Sequence, residues 1–200
     1  MGRALHVHHC HLKRGASELT NRLKTVQNPR VILIDCDNVL RISEIISDIL
    51  NYCSYNTLID CFSENTDFIV LTNKENLVWK NVIADTVTFD NKSKLDEEII
   101  NKFRSKVTSY EYCFSKYDEE AEGFLTYSTE NYDAEVMCRN ISMTDNTTSF
   151  DIIEAGILSR VRIHNNLYSV QEVLICTCTL IATGIPIASI LGYFNACDEK

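Results

Sequence analysis

PRVILIDCDNVL, residues 29–40, is the stretch whose reading decides the fold. Val31 to Ile34 are four consecutive apolar residues, three of them β-branched. Such a run, without alternation, reads as a strand buried on both faces. Asp35, Cys36, Asp37 and Asn38 follow at its carboxyl end, the edge where open α/β sheets place their chemistry. Two carboxylates two residues apart can share one divalent cation through oxygen ligands. The plainer alternative is a strand-to-helix turn whose Asp and Asn residues cap the next helix.

Outward from this stretch, Ile42, Ile45, Ile46, Ile49 and Leu50 recur at a helical period. Leu58, Ile59, Cys61 and Phe62 predict a second helix ending near Glu64. Phe68 to Leu71 reads as another buried strand, closed by Thr72-Asn73 and expected beside the first in parallel. Leu77, Val78, Val82 and Ile83 suit a helix, and Asp85 to Phe89 a short strand. Leu95, Ile99, Ile100 and Phe103 suit an amphipathic helix. Val107 to Phe114 is expected to be extended, Gly123 to Tyr127 a strand, and Tyr132–Cys138 and Ile152–Leu158 helices. Strands alternating with helices predict a three-layer, Rossmann-like α/β domain with a mostly parallel sheet. Residues 1–28 read as an N-terminal extension and 29–200 as a single α/β domain.

Nineteen Lys and Arg against 28 Asp and Glu give a formal charge of −9. That balance disfavours nucleic acid as a partner, which calls for a basic surface. Nine cysteines, an odd number with no C-x-x-C pair, predict free thiols and a cytoplasmic location. His6, His8, His9, Cys10 and His11 are zinc or copper ligand types, or an accident of a loose terminus. Val173 to Cys197 carries no charge and is long enough to cross a bilayer. Its Thr residues, Gly184, Pro186 and lack of cationic flanks predict burial in the core instead, with membrane attachment through 173–197 as the alternative. Oligomeric state is left open.

The run Asp35-Cys36-Asp37-Asn38-Val39-Leu40 resembles motif one of the haloacid dehalogenase (HAD) phosphatase superfamily, a strand ending in Asp-x-Asp. Phe68-Ile69-Val70-Leu71-Thr72-Asn73 resembles motif two. The resemblance implies a magnesium-dependent phosphohydrolase acting on a phosphorylated small molecule or protein. In it Asp35 would be the nucleophile that forms an aspartyl-phosphate, and Asp37 the acid/base. Thr72 would bind phosphate oxygens, and Lys94, or its neighbour Lys92, would be the family lysine. Magnesium would be held at Asp35 and Asp37. The chain departs from the pattern at motif four, where Thr126 and Tyr127 stand in place of the metal-binding acids. Asp133 or Glu130 would have to replace them after a rearrangement of the loop. A catalytically degenerate member is one form of this reading.

Two other functions fit the same residues. NYN/PIN-type ribonucleases resemble this strand as well, and there Asp35, Asn38, Asp96 or Glu97, and Asp133 would converge on magnesium. A non-enzymatic viral or host-interaction binding module would use the carboxylates as helix caps.

Overall fold

The computed structural model describes residues 29–61, 63, 65–72, 85–116 and 123–197. The HVHHCH cluster and the expected helix over 77–83 lie outside them. Nine strands form one sheet: β1 (Arg30–Asp35), β2 (Thr57–Ile59), β3 (Phe68–Thr72), β4 (Thr86–Phe89), β5 (Ser105–Ser109), β6 (Phe124–Ser128), β7 (Val136–Met143), β8 (Thr147–Glu154) and β9 (Ile157–His164). Among the described residues five helices accompany them: α1 (Val39–Tyr52), α2 (Glu97–Ile100), α3 (Tyr110–Lys116), α4 (Val170–Ala182) and α5 (Ile187–Cys197). The spatial order is β2-β3-β1-β4-β5-β6-β7-β8-β9. Every pairing from β2 to β7 is parallel, and β7-β8-β9 close the sheet as an antiparallel annex. This is the expected α/β class with a mostly parallel sheet.

β1 is central because both its faces are covered. Ile32 and Ile34 face a core shared with Ile42, Ile46 and Ile49 of α1 and Leu174 and Phe194 of the last two helices. Val31 and Leu33 face the opposite layer, against Ile99 and Ile100 of α2 and the ring of Phe89. β3 lies beside β1 in parallel, with Val31 opposite Ile69 and Ile34 opposite Thr72. The chain leaves β1 for β2 and β3 on one side, then crosses to β4 on the other. β1 is therefore the point where strand order reverses, the usual ligand crevice of such sheets.

Several local expectations are corrected. Leu58 and Ile59 belong to β2, an edge strand of three residues, not to a helix; three residues are too few for either period to register. The stretch 107–114 is extended only to Ser109 and then turns into α3. The helix expected over 95–103 is the single turn α2. Both helices expected over 132–138 and 152–158 are strands. Thr148, Phe150 and Ile152 are buried in alternation, the signature of a strand with one face in the core. Ala155 and Gly156, with φ of 49° and 79°, form the two-residue connection between β8 and β9. Positive φ at both central residues matches the twist of a hairpin.

The uncharged tail folds into α4 and α5, joined by a turn that holds Gly184 at φ 80°. α4 begins at a capping box: the Ser169 hydroxyl accepts from Glu172 N at 3.2 Å, and Ser169 N donates to the Glu172 carboxylate at 2.7 Å. Arg30 closes its other end by donating to the Thr183 carbonyl while lying over the Phe68 ring. No helix among the described residues is long and apolar enough to cross a membrane. The missing charges are explained by burial all round α4. Cys36, Cys53, Cys113, Cys138, Cys176, Cys178 and Cys197 carry free thiols.

Candidate functional site

The carboxyl ends of β1, β4, β5 and β6 open on one edge of the sheet. Two loops there are stitched together. Asp35 accepts from the Ser93 hydroxyl at 2.6 Å and from Lys94 N at 3.1 Å. Asp90 accepts from Asp37 N at 2.7 Å and from Lys92 N at 2.8 Å. The Lys92 ammonium pairs with the Asp37 carboxylate. Cys36, between the two acids, is no nucleophile: burial first, then Asp90, Asp35 and Asp37, push its thiol up to about 12.

The residues predicted for the site therefore separate. Asp35 and Asp37 sit together at the β1 end. Lys94 reaches Asp35 with its backbone N–H, not its ammonium. Thr72 is turned to β2, where its hydroxyl donates to Asp60 at 2.5 Å and its N–H to the same carboxylate at 2.7 Å. Asp133 lies on the exposed loop after β6, its N–H donating to the Asn131 side chain at 2.9 Å. No group of three or more His, Cys, Asp or Glu among the described residues is arranged to hold a metal ion.

Asp35 thus works as a strut between loops. Asp35→Ala is expected to lower stability by about 1.5–3 kcal/mol, the range for hydrogen bonds to a charged acceptor. Asp35→Asn, which keeps one acceptor oxygen, should cost less. Urea unfolding of the two variants checks the order, and equal stability of both with the parent would refute the strut.

Asn38 opens α1 in the left-handed region (φ 56°, ψ 32°) and its side chain makes no capping bond. α1 has no acid in its first turn, where Arg41 stands. Its first N–H groups are thus left uncapped by side chains at the same edge as the acids. Beyond them a cleft of about 490 Å³ is lined by Asp37, Asp90, Lys92, Glu111, Tyr127 and Gln171, among others. It shares Ser109, Glu111, Tyr127 and Gln171 with a second lobe of about 230 Å³ that reaches Ser128 and Glu130. Ser128 ties the lobe together, its hydroxyl donating to Glu111 at 2.7 Å and accepting from Asn131 N at 2.9 Å. Asp90, Glu111 and Gln171 belong to no motif and lie more than 50 residues from Asp35 along the chain, so only the fold brings them in.

The fold has counterparts among proteins of known structure. A UDP-N-acetylmuramoyl-L-alanyl-D-glutamate–2,6-diaminopimelate ligase matches 90% of the chain at TM-score 0.69 with 12% identity. The fold is that of the Mur ligases. MurF ligase from Thermotoga maritima, solved in complex with ADP, matches 88% at TM-score 0.63 and 13% identity. Folylpolyglutamate synthetase from Lactobacillus casei matches 91% at TM-score 0.60 and 10% identity. The chain spans about half the length of the two Mur ligases, 49% and 51%, and 66% of the synthetase. No protein-family model and no curated protein matches the sequence.

The Mur-ligase fold overturns the HAD resemblance, and with it the phosphohydrolase reading. It overturns the NYN/PIN ribonuclease reading as well, and the structures matched, ligases and a synthetase, give the non-enzymatic binding module no support. The physical reason is that both motifs sat at strand ends. Any open α/β sheet bunches Asp, Asn and Thr there to end strands and start helices. Thr72, bound to Asp60, shows how such a residue serves the backbone.

Proposed function

We propose that this chain is a nucleotide-binding domain of Mur-ligase type, taking a magnesium nucleotide at the β1 edge as part of an ATP-dependent ligase. The observation that carries the reading is the match of 90% of the chain to a ligase fold whose MurF representative was solved with ADP. The crevice supports it. The uncapped start of α1, with Arg41 in its first turn, is a place for phosphate oxygens. Asp37 and Asp90 are the hard oxygen donors that magnesium prefers, and magnesium needs only one or two protein carboxylates beside phosphate and water.

The turn after β1 nevertheless differs from a G-x-x-x-x-G-K phosphate loop. It has no glycine between Asp35 and Leu40, and it carries carboxylates. A bare polyphosphate would meet Asp35, Asp37 and Asp90. The acids therefore make binding depend on the cation, which supplies charge neutralisation and phosphate positioning when bound. Lys92, 63% exposed on its side chain, balances Asp37 and is long enough to turn toward a phosphate.

The test is thermal unfolding with ADP. With magnesium, nucleotide at a hundred times its dissociation constant should add about 2.7 kcal/mol, or roughly 5–10 °C for a chain of this size. EDTA should remove the shift, and Asp37→Asn should reduce it. No shift, or one that survives EDTA, would sink the reading.

A further inference from the structure

The sheet ends at β9, so the outward backbone groups of that strand have no ladder partner among the described strands. One contact fixes which groups these are. Arg162 N donates to Asn195 Oδ1 of α5 at 3.2 Å, so by alternation the N–H groups of Leu158 and Arg160 point outward as well. Val161 and Ile163 turn their side chains into the core, which leaves Leu158, Arg160 and Arg162 in a row on the opposite face. Leu158 is 57% exposed. Arg160 is held in place by Asp151, to which its Nη1 donates at 2.8 Å. Asp151 is buried and also accepts from Asn140 at 2.6 Å, beside the bulge of β7. A long, exposed and partly apolar edge is a template for pairing with another chain.

We propose that β9 takes an extended acidic peptide as an added antiparallel strand, with alternating carboxylates on Arg160 and Arg162 and an apolar side chain on Leu158. Charge decides the occupant. In a chain of formal charge −9, Ile157–His164 carries two arginines, a histidine and no acid. Alternate residues of a strand stand about 6.8 Å apart on one face, so carboxylates at i and i+2 of a peptide match the two guanidiniums. Opposite charges facing each other across strands stabilise the pairing. Main-chain bonds supply affinity and the alternate side chains supply specificity. The Asp151 contact engages Nη1 of Arg160, one nitrogen of a guanidinium with five N–H donors. Asn195 presents to Arg162 the amide oxygen that an added strand would bring, and gives way to it. A second copy of β9 is disfavoured, because a two-fold pairing over the strand brings Arg160 opposite Arg162 or opposite itself.

This edge is independent of the nucleotide reading, and its test contains no nucleotide. The peptide acetyl-Thr-Glu-Thr-Glu-Thr-Val-Thr-amide, whose Glu and Val side chains share one face, is titrated calorimetrically into the full chain. Saturable binding is expected, with slower hydrogen exchange at the Leu158 and Arg160 amides. The isomer acetyl-Thr-Glu-Glu-Thr-Thr-Val-Thr-amide splits the carboxylates between the two faces and should bind about tenfold more weakly. Arg162→Gln, on the exposed face and outside the core, should weaken the first peptide by about the same factor, the loss of one charge-assisted contact. No binding, equal binding of the isomer, or unchanged exchange at both amides would each overturn the proposal. Equal binding would mark simple charge attraction. Two further results would overturn it by naming another occupant. Self-association that protects the same amides without peptide would assign the edge to a second copy. Oligouridylate binding that is lost in Arg162→Gln, with no peptide bound, would assign it to nucleic acid.

Discussion

A chain ending at Ser169 is expected not to fold. The cut removes α4 and α5, and with them Val173, Leu174, Leu180, Ile190 and Phe194, each 0% exposed. Burying such a side chain is worth roughly 1.5–3 kcal/mol. Five of them rival the whole stability of an ordinary domain, about 5–15 kcal/mol. The loss is also geometric. α4 covers the face of the sheet over β4, β5 and β6, so its removal would expose Thr88, Val107 and Tyr127 to water. Circular dichroism and melting of the truncated chain test this. A cooperative melt would show that the parallel sheet stands without its last two helices. Recovery of the full chain only with membranes, relieved by the same cut, would instead show that the segment is an anchor.

The same segment shows what the sequence does reveal. A charge-free run broken by Gly184 and Pro186 cannot satisfy one long apolar helix, but it suits two short ones in a core. The Ser169-x-x-Glu172 capping box marks where the first begins. β1 and β3 were legible because a central parallel strand must be apolar on both faces, and α1 because its period is clean. The annex was not, because apolar pairs at Ile152-Ile153 and Ile157-Leu158 imitate a helical spacing. The turn between them, Ala155-Gly156, was the signal that separated hairpin from helix.

Of the site, the position of Asp35 and Asp37 at the β1 edge was legible, and their roles were not. Roles depend on partners supplied by other strands. Ser93 turns Asp35 into a strut, Lys92 neutralises Asp37, and Asp60 withdraws Thr72 to the opposite side of β1. None of these contacts leaves a local pattern. A two-residue acidic motif therefore fixes an edge of the sheet, and only the topology fixes which chemistry the edge can serve.

Phe150→Ala should lower stability by about 3–5 kcal/mol, the usual cost of truncating a buried aromatic. For a chain of this size that is on the order of 10 °C in melting temperature. Phe150 lies on β8, opposite Val161 of β9, at 0% exposure. Its ring belongs to the same core as Ile32 and Ile34 of β1 and Leu174 of α4. The cavity is therefore felt by the central strand as well as by the annex. One transition, shifted as a whole, is the expected result by calorimetry. Two transitions, with the upper one at the parent temperature, would mean that β7-β8-β9 melts as a unit of its own. The distinction bears on the site. Asp37, Asp90 and the first turn of α1 rest on β1 and β4, and Tyr127 rests on β6, the strand that pairs with the annex through Val136. If the core is shared, loosening β8 weakens the Tyr127 lobe at the same temperature as the β1 edge. If it is not, the Tyr127 lobe fails first, and the β1 edge keeps its geometry.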